Sequence, residues 1–108
     1  MSGAAERTEA FWRLVEPRLA AGQVERGTVM GRPCVRADGD FVAMPHSKTG
    51  ALIVKLPADR VSELVADGSG QAFAPAGRVF KEWLAVPDYD EARWAALVEE
   101  ALSPPRPS

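Results

Sequence analysis

Residues 27–56 have the sequence GTVMGRPCVRADGDFVAMPHSKTGALIVKL, which predicts β-strands joined by short turns. Residues 27–37 are compatible with one strand, and Asp38-Gly39 is a strong signal for a two-residue hairpin turn before a return strand at 40–44. A short polar loop then leads into 51–56, whose β-branched and leucine content is typical of a central strand. Consecutive strands with such short connections pair as an antiparallel meander.

Helical patterns lie on both sides of this meander. The apolar residues of 4–21 share one helical stripe, and Pro17 is expected to kink or end that helix nearby because it removes a backbone donor. Pro57 is expected to open a second helix, a position where proline is well tolerated, and Gly68 to end it. The expected buried face of the second helix consists of Val61, Leu64 and Val65.

The C-terminal part of the chain predicts one more strand and one more helix. Residues 69–76 are expected to form a loop of small residues that Phe73 anchors to the core, and 79–86 the last strand. Asp88 and Glu91 have the spacing of a capping box, in which Asp88 caps the amide of Glu91 and Glu91 reaches back. The expected apolar face of the closing helix consists of Trp94, Leu97, Val98 and Ala101.

The predicted order of elements is helix, strand, strand, strand, helix, strand, helix. Strands and helices do not alternate strictly, so the predicted class is α+β, with a mainly antiparallel sheet of four to five strands covered by three helices. We expect residues 1–102 to form a single domain and 103–108 to be a proline-rich tail.

Composition narrows the classes of function. Thirteen basic and fifteen acidic residues give a net charge of −2, so the chain lacks the overall positive charge of many nucleic-acid-binding proteins. A local basic patch is still compatible with this composition. No long apolar run or secretory leader is visible, which predicts no membrane association and a cytoplasmic location. Cys34 is the only cysteine, so neither an intramolecular disulfide nor a multi-cysteine zinc site is expected.

Candidate catalytic and metal-binding residues have simpler structural interpretations. His46 is the only histidine and lies in a polar turn, where a solvated histidine is expected. Ser47 and Lys48 are adjacent to it, but neighbouring residues of an extended segment point apart and nothing supplies an oxyanion hole. A hairpin turn accounts for Asp38 and Asp40. We therefore predict no catalytic residue, metal or cofactor.

Strand 79–86 carries the most informative polar residues. Strict alternation places Glu82 with Phe80 and Leu84 on one face, and Lys81 with Trp83 on the other. If the Phe80 face is the core, Glu82 is drawn inward and needs a cation, because an unpaired buried carboxylate is costly. Arg60 and Arg78 are the candidate partners of this carboxylate. Lys55 of the preceding strand is expected to join Lys81 and Trp83 in a basic and aromatic patch, which suits an anionic ligand, a base-stacking contact or a protein partner.

The chain resembles the N-terminal domain of the TfoX/Sxy family, named for regulators of natural competence in bacteria. The resemblance rests on Met30-Gly31, Asp38-Gly39-Asp40-Phe41, Val54-Lys55-Leu56-Pro57 with Arg60, and Phe73 to Trp83, FAPAGRVFKEW, before a helix with Trp94. It covers about residues 24–102; one departure is Gly31, where family members often have phenylalanine. YjbR-like proteins are a second resemblance.

This resemblance implies an α+β domain and, in some relatives, a link to transcriptional regulation, and it supplies no catalytic residues. Competence regulators carry an additional C-terminal domain, and we expect this chain to lack it, so the regulatory role is not simply carried over. We predict a non-enzymatic binding or regulatory module for a protein or an anionic small molecule. The candidate surface consists of Lys55, Arg60, Arg78, Lys81, Glu82 and Trp83.

Two other functions stay open. A nucleic-acid-binding transcriptional or competence regulator would use the same cations and Trp83. A small-molecule enzyme would use His46 or Glu82 as its acid or base.

Overall fold

Two tight turns with positive φ angles shape the N-terminal half of the sheet. Asp38 and Gly39 have φ angles of 53° and 83°, as a two-residue hairpin of the primed type requires, so the predicted hairpin is confirmed. Met30 and Gly31 have φ angles of 52° and 74° and form a second hairpin. This turn divides residues 27–37, so the prediction of one strand there is wrong. The turn is unexpected because methionine rarely adopts a positive φ and is not a typical turn residue.

The computed structural model describes residues 3–102, and the tail predicted at 103–108 lies outside them. The helices and strands are α1 (Gly3–Ala20), β1 (Glu25–Val29), β2 (Arg32–Ala37), β3 (Asp40–Pro45), β4 (Leu52–Lys55), α2 (Ala58–Ala66), β5 (Gln71–Phe73), a 3-10 turn (Pro75–Gly77), β6 (Phe80–Val86) and α3 (Glu91–Leu102).

All the strands join one antiparallel sheet in the order β1-β2-β3-β4-β6-β5. The α+β class and the antiparallel sheet are confirmed, and the sheet has six strands where four to five were predicted. The additional strand β5 lies in the segment predicted as a loop. The small residues on both sides of it favour a loop, and its pairing with β6 overrides that preference.

The helices cover one face of the sheet. Phe11 and Val15 of α1, Val61 of α2, and Trp94 and Val98 of α3 belong to one buried cluster with strand residues. Burial of these side chains is the main stabilising contribution of the helices, at roughly 1.5–3 kcal/mol for each fully buried large side chain. None of the helical residues in 3–102 belongs to the second cluster, which lies on the opposite face.

Helix α1 ends at Ala20, three residues after Pro17, so the expected end near this proline is confirmed, and the chain then reverses with Gly22 at a φ of 76°. The predicted buried face of α2 needs correction. The side chain of Val65 is 38% exposed, because α2 turns only Val61 and Leu64 toward the sheet.

The predicted capping box at the start of α3 is also wrong. The carboxylate of Asp90 accepts a hydrogen bond from the amide of Arg93 at 3.0 Å, so Asp90 caps the helix. Asp88 contributes its backbone carbonyl, which accepts the Trp94 indole N–H at 3.0 Å.

Candidate functional site

Four aromatic side chains pack together on the face of the sheet that the helices leave uncovered. The Trp83 ring is stacked against Phe41 at 4.3 Å and against Phe73 at 5.5 Å, with interplanar angles of 20° and 21°. Phe80 contacts Trp83 at 5.0 Å and Phe73 at 5.6 Å. We call Phe41, Phe73, Phe80 and Trp83 the aromatic cluster. Phe41 and Phe73 are buried, whereas the rings of Phe80 and Trp83 are half-buried and therefore accessible.

A bulge in β6 brings Phe80 and Trp83 to the same face. Ala72 of β5 pairs with Leu84, and the next residue, Phe73, pairs with Phe80, so residues 81–83 lie opposite a single step of β5. Strict alternation is lost at this point, and the prediction that Phe80 and Trp83 lie on opposite faces is wrong.

Cations border this cluster. Lys55 is the direct cross-strand partner of Trp83, so its half-buried side chain lies on the same face. The Arg78 guanidinium is exposed and lies 5.8 Å from the centre of the Phe80 ring, within the range of a cation–π contact. Lys81 is exposed within the bulge. The structure thus brings Lys55, Arg78 and Trp83 together, with Lys81 close by in the chain.

Arg60 is not part of this surface. It lies on α2, on the other side of the sheet, and its guanidinium binds the Glu100 carboxylate of α3 through two hydrogen bonds of 2.6 and 3.2 Å. A further contact of 3.2 Å joins Arg60 to Glu63. The hydrogen bonds that Arg60 donates to these two carboxylates, chiefly to Glu100, raise the pKa of its guanidinium. Arg60 therefore links two helices.

The expected burial of Glu82 is wrong. Its side chain is exposed, and no hydrogen bond or ion pair joins it to another side chain within residues 3–102. The residue contributes its backbone carbonyl, which accepts the amide of Leu56 at 2.9 Å. The bulge is the physical reason, because it frees Glu82 from the inward position that alternation would impose.

His46 lies at the margin of the aromatic cluster. Its ring is 6.2 Å from Phe73 in an edge contact, and its Nδ1 accepts the amide of Lys48 at 3.1 Å and that of Thr49 at 3.4 Å. Partial burial lowers the pKa of His46, and the positive charges of Arg32 and Lys48 lower it further. Arg32 donates a hydrogen bond to the neighbouring Ser47 hydroxyl. The imidazole is thus held neutral and fixes the turn.

Cys34 and Arg36 extend the same face toward β1. The Cys34 thiol is buried, and this burial raises its pKa against the opposing effect of Arg36. The Arg36 side chain crosses Gly27, where an added Cβ would lie 2.8 Å from its Cδ. Its guanidinium donates to the carbonyls of Thr28 at 2.8 Å and Gly39 at 2.7 Å. The Arg36 guanidinium is therefore engaged in hydrogen bonds with the backbone of two neighbouring segments.

Two other features of residues 3–102 bear on ligand binding. A shallow, open depression of about 530 Å³ lies between α1 and β1, where the Arg26 guanidinium stacks on Trp12 at 4.2 Å. This depression is mostly open to solvent and would enclose little of a ligand. Across the described part of the chain, no three His, Cys, Asp or Glu side chains are grouped to hold a metal ion.

Sequence reasoning missed three members of the aromatic cluster as site residues. Phe41, Phe73 and Phe80 lie on three different strands. Their contact depends on the order of β4, β6 and β5 in the sheet and on the bulge in β6. The sequence contains one signal, because three aromatic residues, Phe73, Phe80 and Trp83, fall within eleven residues.

The chain has no match among known family models, curated proteins or solved structures. None of the helices in residues 3–102 combines the length and apolar character needed to cross a membrane.

Proposed function

We propose that this protein is a non-enzymatic binding module whose ligand surface is the aromatic cluster and its bordering cations. The observation that carries the proposal is the half-buried pair of Phe80 and Trp83, with Lys55 opposite Trp83 and Arg78 beside Phe80. Accessible rings provide apolar contact, and the cations attract a carboxylate or phosphate.

An acidic segment of a protein partner fits this surface best. Val79 is 56% exposed, so two apolar side chains, Val79 and Phe80, lie between the cations Arg78 and Lys81 at the start of β6. A partner with acidic and aromatic residues would match both features. An anionic small molecule would use the same cations, and the resemblance to TfoX/Sxy N-terminal domains suggests a regulatory setting for either ligand.

The indole N–H signals of Trp12, Trp83 and Trp94 provide the test in a 15N-labelled sample. We expect a capped peptide of alternating glutamate and phenylalanine to shift the Trp83 signal. The signal of Trp94 should stay in place, because that indole is buried and bonded to Asp88. Trp12 on α1 reports non-specific binding. Equal shifts of all three signals, or none, would refute the proposed surface.

Charge variants make the test sharper. Arg78→Gln should weaken peptide binding by about two- to fivefold, the effect of one exposed ion pair. Arg13→Gln is the matched control, because Arg13 is also exposed but lies on α1. It should leave the affinity unchanged.

Nucleic acid is the second candidate, favoured by the same combination of ring stacking and cations. Short oligothymidine and oligouridine are therefore titrated in parallel over a series of salt concentrations. Binding of these probes at Trp83, with a steep loss as salt rises and no binding of the peptide, would replace the proposed partner by a nucleic acid.

A further inference from the structure

The two edges of the sheet differ in their protection against pairing with another strand. An edge strand presents unpaired N–H and C=O groups, and charged side chains commonly guard it. The β1 edge carries the charged residues Glu25 and Arg26. The Arg36 guanidinium also donates a hydrogen bond of 2.8 Å to the carbonyl of Thr28 on this edge strand. This edge is guarded.

The β5 edge has no such guard. Residues 68–77 form the longest stretch of the chain without a charged residue, and β5 lies in its middle. Gln71 and Ala72 are exposed, and no side chain of residues 3–102 donates a hydrogen bond to the backbone of 71–73. The nearest such bond is from Arg93 to the carbonyl of Ser69, before the strand begins.

Segments that carry exposed apolar side chains are bonded to β5 or to the residues just before it. Four large apolar residues are exposed in the described part of the chain, namely Met30, Val65, Val79 and Tyr89. Val65 follows Leu64, whose carbonyl accepts the amides of Ser69 and Gly70 just before β5. Val79 precedes Phe80, the partner of Phe73 at the other end of β5.

Tyr89 completes the group. Its ring packs against the Trp94 ring with centroids 5.0 Å apart. The residue before Trp94, Arg93, donates a hydrogen bond to the carbonyl of Ser69. Three of the four exposed large apolar side chains therefore belong to segments that are bonded to β5 or to the residues just before it, and the fourth lies at the hairpin between β1 and β2.

We propose that a second copy of this chain pairs with the β5 edge, antiparallel and across a two-fold axis, to join two sheets into one. The edge is self-complementary because it carries no charge that two copies would bring together. Asp67 and Arg78 bound the uncharged stretch at opposite ends, so a two-fold axis places the acidic end of one copy near the basic end of the other. An acidic or basic peptide would find no counter-charge along β5.

The expected dimer is weak. Strand β5 has only three residues, so pairing buries a small interface, and a Kd of about 10 µM to 1 mM is expected for contacts of this size. Sedimentation equilibrium over this concentration range should show the average mass of the wild-type protein rising from one chain toward two.

A matched pair of lysine substitutions tests the edge. Ala72→Lys places like charges face to face across the two-fold axis and should keep the protein monomeric throughout the range. Thr28→Lys adds the same charge at an exposed position of the β1 edge and should leave association unchanged. Circular dichroism checks that both variants keep the wild-type fold.

The proposal is overturned if the wild-type protein stays monomeric at millimolar concentration. It is also overturned if folded Ala72→Lys associates as well as the wild type, or if Thr28→Lys alone abolishes association. The proposal does not depend on the ligand surface at Trp83.

Discussion

The carboxylate of Glu82 is exposed in the bulge of β6, so its removal should cost little stability. We expect Glu82→Ala to change the free energy of unfolding in urea by less than about 0.5 kcal/mol. Trp83→Ala, the neighbouring control, removes the contacts with Phe41, Phe73 and Phe80 and should cost about 2–4 kcal/mol. A large loss for Glu82→Ala would show that this carboxylate has a structural partner.

His46 should make stability depend on pH. Its pKa is lowered in the folded protein by burial and by Arg32 and Lys48, and its Nδ1 must be unprotonated to accept the amides of Lys48 and Thr49. The stability that neutral His46 contributes is fully present above the pKa of histidine in the unfolded chain, about 6.5. It is lost as the pH falls through the lower pKa of His46 in the folded protein.

The measurement is the unfolding free energy of wild type and His46→Gln between about pH 7.5 and 5, across the histidine range. The difference between the two should shrink as the pH falls, because protonation removes the interaction that the substitution already lacks. A constant difference over this range would contradict the assignment of a neutral His46 in the turn.

At the scale of elements, predictions succeeded where one residue type carries the local signal. Asp38-Gly39 specifies its hairpin, and Pro57 lies immediately before α2 as expected. Met30-Gly31 makes the same kind of turn without that signal, and β5 is a strand because β6 lies beside it. These two features depend on tertiary pairing, which local propensity does not contain.

The start of α3 provides a test with a matched control. Asp90→Ala removes the acceptor of the Arg93 amide and should lower the unfolding free energy by about 1 kcal/mol. Asp88→Ala should have a much smaller effect, because Asp88 binds the Trp94 indole through its backbone carbonyl. A larger loss for Asp88→Ala than for Asp90→Ala would restore the capping box that the sequence suggests.

At the scale of the whole molecule, the sequence predicts the layers better than the candidate site. Helical stripes and β-branched strands define the helix-covered core, and Phe11, Leu64 and Trp94 all belong to it. The composition of the opposite face depends on which strands become neighbours and on where alternation fails. The bulge in β6 ends the alternation and brings Phe80 and Trp83 to this face. Three of the six predicted surface residues, Lys55, Arg78 and Trp83, therefore meet there, while Arg60 lies in the helical layer.

The two-sided burial of the central strands predicts the pattern of hydrogen exchange. Ile53 is fully buried in the cluster opposite the helices, and its neighbour Val54 is fully buried in the helix-covered cluster. Opening β4 must disrupt both faces and two strand pairs, so its amides should exchange only through global unfolding. The amides of β1, an edge strand with exposed residues, should exchange at least about a hundredfold faster through local opening. Exchange of 15N-labelled protein at low concentration measures both strands in one sample, and equal protection of β1 and β4 would contradict this distribution of stability.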